Sequence, residues 1–247
     1  MAPASHAARW DHANFRGISA QQVRLGFIRK VYGIVCTQVL TTALFAGLCC
    51  GPLQRPMLAF VTTSPSAFRW GSVIATGLAL LLCHAGKDSY PVNFLGLCLL
   101  TAVMALDLGV ISALCAASGL GALVAQAAVI TALITLGLTM YTFSSKRDFS
   151  FLGAALWPLA FGLLGFGLLS LIFPSLHMGL LGLLVSFAGA GIFCGYLVFD
   201  TWRIANELGV DDYIQGAIQL YMDIVNIFLY ILEILMQMNK KQDRDRR

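Results

Sequence analysis

Asp223 and Asn226 stand one helical turn apart inside IQGAIQLYMDIVNIFLYILEILMQM, residues 214–238, a stretch apolar enough to enter a bilayer. Asp200 closes the preceding apolar run, in YLVFDTW. A carboxylate at membrane depth costs several kcal/mol, so it faces protein or a water-filled cavity and marks a pathway. Two carboxylates brought close together resist ionising at once and hold one proton between them. A shared proton would tether the two helices that carry Asp200 and Asp223; loss of it would set two like charges against each other and free one helix to move. The alternative is that each aspartate separately caps or bonds backbone, which suits Asp200, near a helix end, better than Asp223. Hard cations take oxygen ligands, fewer of them from protein where water supplies the rest. Asp223, Asn226 and Asp107 are candidates to line such an ion path, with weak binding, because a permeant ion must also leave. Glu233 lies ten residues past Asp223, about 80° short of three full turns, and is a further candidate that either faces the interior or reaches the far interface.

The elements that position these groups are transmembrane helices. The chain has 247 residues, 58% hydrophobic and 11% charged, against roughly 25% charged in a soluble domain. The net charge of +4 comes from residues flanking apolar segments, with no interleaving of basic and aromatic side chains, so a nucleic-acid partner is not expected. Cys36, Cys49, Cys50, Cys83, Cys98, Cys115 and Cys194 all lie in or beside apolar runs. Their odd number and lack of metal-ligand spacing indicate reduced, packed thiols, with no tightly bound metal.

A span needs about 20 apolar residues. Seven such segments occur near 31–51, 69–86, 92–115, 119–141, 151–173, 178–202 and 214–238. Breaks fall at Gly51-Pro52 and Pro56, at Gly86 to Pro91, at Ser118-Gly119, at Ser144 to Ser150, at Phe173-Pro174 and at Glu207 to Asp212. Short loops leave no room for an extramembrane domain. The reading is therefore an N-terminal tail and interfacial lead-in over 1–30, one bundle over 31–238, and a basic tail over 239–247. The first 30 residues lack an apolar h-region, so the first span is expected to serve as the insertion signal. Gly191 and Gly195 in the sixth span, and Gly162, Gly165 and Gly167 in the fifth, are expected to let helices approach closely. His177, in a short loop, has no visible partner.

All 16 lysines and arginines lie at or beyond span ends, five of them before the first span and five in the tail. The positive-inside rule puts the N-terminus in the cytosol. Seven crossings then leave the basic tail on the opposite face. Charge counting thus favours a re-entrant seventh segment, making six spans, whereas apolar length favours crossing. A plain hairpin turning between Ala205 and Asp212 also leaves Asp200 and Asp223 about 9 Å apart in height. Their meeting then requires tilt, or a last helix that begins nearer Ile218, which Gly209 and Gly216 would allow.

FIRKVYGIVCTQVL (27–40), LTMYTFSSKRDFSFLG (138–153), FCGYLVFDT (193–201) and DDYIQGAIQLYMDIVNIFLYIL (211–232) together resemble the transmembrane Bax inhibitor motif family, in its Lifeguard and Golgi anti-apoptotic branch. The resemblance runs from about residue 23 to 240. It implies an all-α bundle around a central seventh helix, in Golgi or endoplasmic reticulum membranes. It also implies a pH-sensitive Ca²⁺ leak that protects against apoptosis, and it carries the family's two pore aspartates onto Asp200 and Asp223. A basic latch near the end of the second span is also implied; His84 and Lys87 are the nearest candidates, since no arginine stands there. Met104 occupies the position of a third-span glutamate, with Asp107 one turn later.

The function expected is a Ca²⁺ leak channel, not an enzyme, with Ca²⁺ as permeant ion and no cofactor. Its partners would be membrane lipid and, in a second reading, other Ca²⁺-channel or apoptosis-regulating membrane proteins, bound without conduction. Paired membrane aspartates also suit an intramembrane protease, but Leu220, Tyr221 and Met222 precede Asp223 where that chemistry has a glycine-x-glycine motif.

Overall fold

The computed structural model describes residues 20–86, 89, 91–173 and 179–245. Lys87 and His177 fall outside them, as does most of the N-terminal tail. Within lipid every backbone polar group must be satisfied inside the chain, which selects helices. The described residues form eight: α1 (Ala20–Cys50), α2 (Gln54–Thr63), α3 (Pro65–Ala85), α4 (Val92–Ala117), α5 (Gly121–Ser144), α6 (Ser150–Ile172), α7 (Gly179–Asn206) and α8 (Tyr213–Asp245). All but α2 are long and apolar enough to cross a membrane; the protein is an all-α polytopic membrane protein.

Three boundaries differ from the sequence reading. The lead-in is not separate from the first span. Phe27, Val31 and Val35 are buried at four-residue spacing on one face of α1, and Gln38, Thr42, Ala46 and Cys49 continue it. That stripe crosses the expected break at residue 30 and keeps the helix whole. The stretch after Gly51 is likewise not all loop, because Pro56 falls in the first turn of α2, where a missing N–H costs no intrahelical bond. At ten residues, about 15 Å, α2 does not span. Finally, α8 continues past Met238 through Lys240 and Lys241 to Asp245, so most of the expected tail is helical.

The seventh span is a single uninterrupted helix of 33 residues, about 50 Å long. Re-entry would need a break and reversal, and α8 has neither. It packs against α7, α1, α5 and α4, while α4 gathers α1, α2, α3 and α5 on the other side of the bundle and α6 leans on α7. On one side of α8, Leu220, Ile227 and Leu232 join Val31, Val35, Leu197 and Ile204. On another, Tyr221 and Val225 join Leu100, Met104 and Ala79.

Of the glycines expected to allow close approach, Gly195 does so and the others do not. A Cβ at Gly162, Gly165, Gly167 or Gly191 would meet nothing within 4 Å. Gly195 does pack on Leu156, and the tightest contact in α7 is at Gly189, where a Cβ would lie 2.5 Å from the Tyr230 ring.

Candidate functional site

Asp200 and Asp223 come from α7 and α8, the most extensively packed helix pair. They are 6% and 5% exposed, so neither reaches bulk water. Their side chains lie within hydrogen-bonding range of each other. Asp223 Oδ2 is buried with no hydrogen-bond partner.

The meeting does not need a late start to α8. Asp200 is six residues before the end of α7 at Asn206, and Asp223 is ten after the start of α8 at Tyr213. The difference of four residues amounts to about 6 Å along the axes. Side chains on a helix lean toward its N-terminus. In this antiparallel pair Asp200 therefore leans away from the connecting loop and Asp223 toward it, which closes the offset. Gly216 sets the register, since a Cβ there would lie 3.2 Å from both Ile204 and Leu208.

The basic partner is on α7 itself. Arg203 Nη1 donates to Asp200 Oδ1 at 3.3 Å, and Arg203 Nε is 3.8 Å from Glu207. Its guanidinium sits 5.5 Å from the Phe199 ring centroid. The sequence reading sought a latch on the second span and passed over this residue, although its i, i+3 spacing from Asp200 was the available signal. His84 instead lines a cavity of about 300 Å³ with Asp211, Asp212, Asn93, Gln215 and Gln219, and neither Asp200 nor Asp223 lines that cavity.

α1 braces the same end of the α7–α8 hairpin. Arg24 Nε donates to the Ala205 carbonyl at 2.8 Å, and Arg24 also donates to the Leu208 and Arg203 carbonyls. Ala205 is in the last turn of α7, where carbonyls lack an intrahelical partner, Leu208 lies just past that turn, and the Arg203 carbonyl also accepts from the Glu207 and Leu208 amides. Lys30 lies 3.2 Å from the Tyr213 ring centroid. Deeper in, Tyr32 and Thr201 are paired at 3.2 Å and Thr42 and Tyr221 at 2.8 Å, so hydroxyls tie α1 to α7 and to α8.

The remaining candidates are not gathered at the pair. Asn226 Nδ2 donates to its own helix at the Met222 carbonyl, 2.7 Å away. Glu233, half-buried, accepts from Gln237 at 3.2 Å. Asp107 faces α3, where Ser72 Oγ lies 2.7 and 2.6 Å from its two oxygens; Met104 and Leu108, to either side, take the face that packs with Tyr221 and Val225 of α8.

A long apolar span bearing a buried carboxylate, opposed by a second on its antiparallel neighbour, defines a polytopic helical membrane protein with two carboxylates in its core. A family model described as "Inhibitor of apoptosis-promoting Bax1" matches residues 24–240, and the chain belongs to this Bax inhibitor family. It is 34% identical over 223 residues to the Golgi anti-apoptotic protein of vaccinia virus (strain Lister), covering 89% of this chain and 88% of that one. It is likewise 34% identical over 225 residues to Protein LIFEGUARD 4 of Arabidopsis thaliana (88% and 87% covered) and over 219 residues to Protein lifeguard 4 of Mus musculus (89% and 88% covered).

Proposed function

We propose that this protein is a pH-sensitive Ca²⁺ leak channel of Golgi or endoplasmic reticulum membranes, gated by Asp200 and Asp223, and that by lowering stored Ca²⁺ it inhibits apoptosis. The observation that carries the gating is the contact of two buried carboxylates from adjacent helices, with Asp223 Oδ2 left unpaired. Two anions at that separation, out of water, repel strongly, so a proton between them is what allows the helices to stay together. Arg203 gives Asp200 a counter-charge, and Asp223 has only the pair. Loss of the proton drives α8 from α7. Because α8 also packs against α1, α4 and α5, a small shift of it alters those contacts as well. Carboxylate oxygens and water entering behind it suit a hard cation held loosely.

The location follows the printed name of the vaccinia relative, and the anti-apoptotic role follows that name and the family description. The five basic residues before and in the first turns of α1 favour a cytosolic N-terminus.

Purified protein in liposomes loaded with a Ca²⁺ dye separates conduction from a purely interacting role, since no partner is present. The wild type should pass Ca²⁺ faster as pH rises, and Asp223→Asn should flatten that dependence. An unchanged flux–pH curve in the variant would sink the gating, and no flux from the wild type at any pH would sink the channel.

A further inference from the structure

A third carboxylate, half-buried, sits apart from the pair. Asp107 is one of the residues lining a cavity of about 340 Å³ between α2, α3 and α4, whose walls include Phe60, Phe68, Ala75 and Leu106. Asp107 is 15 residues from the start of α4 and ten from its end, roughly 4 Å from the midpoint of the helix. Its one polar partner among the described side chains is Ser72, whose hydroxyl has a single proton and bonds one carboxylate oxygen at a time. No lysine, arginine or histidine is among the described residues lining the cavity. Phe60 and Leu106 are 61% and 42% exposed, so the rim opens toward the lipid side of the bundle.

We propose that this cavity is a lateral binding site for a lipophilic amine, a single ammonium group on a compact apolar body that enters from the bilayer. An anion at this depth lacks a counter-ion, and an ammonium supplies both the charge and the extra donors that Ser72 cannot. Phe60 and Phe68, edge to face with centroids 5.9 Å apart, add aromatic surface that cations favour. The volume falls at the lower end of small-molecule sites, enough for one chain. A phospholipid headgroup is excluded on chemistry, because its phosphate would be carried near mid-membrane beside a carboxylate. The site is independent of the proposed gate, as neither Asp200 nor Asp223 lines it.

The experiment compares 1-dodecylamine with 1-dodecanol, reading the melting temperature of the purified full chain in detergent across a ligand titration. The amine should give a saturable rise and the alcohol none. Asp107→Asn should weaken the half-saturation concentration at least tenfold. Gly71→Leu, at a wall position where a Cβ meets nothing within 4 Å, should fill the cavity and abolish the response with the carboxylate intact; this variant decides the matter if Asp107→Asn does not fold. Equal responses to amine and alcohol, or an undiminished amine response in Gly71→Leu, would overturn the site. Ca²⁺ flux plays no part in the readout, so its fate is separate from that of the leak.

Discussion

The two aspartates differ in their company. Asp200 has Arg203 at 3.3 Å and Asp223 has no cation among the partners described for it. In the proposed mechanism opening requires an ionised pair, and Arg203 offsets part of the cost of the charge on Asp200. Arg203→Gln should therefore lower Ca²⁺ flux several-fold at fixed neutral pH, measured in the same liposomes. Asp223→Asn replaces the shared proton by an amide N–H that Asp200 accepts at every pH, so the helices should remain tethered, with flux low and flat across the pH range. Both aspartates were visible in the sequence because a charge within an apolar run is rare and costly. Arg203 was visible only as a residue at a span end, since its bond to Asp200 depends on the helix continuing to Asn206. The separation of Asp107 from the pair was not visible at all: Met104 and Asp107 lie only about 60° apart on the helix, and which of two such directions meets α8 is decided by the neighbours.

At the level of the helices, one close contact seats α7 against α8 and another ties α1 to the end of α7. Gly189 admits the Tyr230 ring, so Gly189→Val should force the helices apart at a cost of about 1–3 kcal/mol, seen as a lower melting temperature in detergent. Gly162→Ala, with nothing within 4 Å of the new Cβ, should leave it unchanged or slightly raised, because alanine favours helix by about 1 kcal/mol. Arg24 collects carbonyls at the C-terminal end of α7. Arg24→Ala should destabilise by about 1–3 kcal/mol, since the lost bonds are charge-assisted and the carbonyls are part-buried. In a bilayer small residues face lipid as readily as protein, so a G-x-x-x-G spacing alone does not say which face is packed. That is why Gly191 drew attention in the sequence and Gly189 did not.

At the scale of the whole molecule, seven helices are long and apolar enough to cross a membrane, and if each crosses once, the basic residues at the end of α8 lie on the face opposite the N-terminus. Single-cysteine variants on a cysteine-free background, one ahead of α1 and one beyond α8, should react with a membrane-impermeant maleimide from opposite sides of sealed vesicles; labelling of both from the same side would restore the re-entrant alternative. The sequence by itself determined the membrane class, the number of apolar segments, the family and the two carboxylates on consecutive spans. These follow from lengths and from the energetic penalty of charge in lipid, which are properties of the chain. Only the tertiary structure decided that α1 runs unbroken from Ala20, that α2 exists, that α8 is one uninterrupted helix, and that Asp107 belongs to a cavity of its own. Inside and outside are both apolar here, so hydrophobic periodicity carries little information about which face is buried, and that choice belongs to the packing.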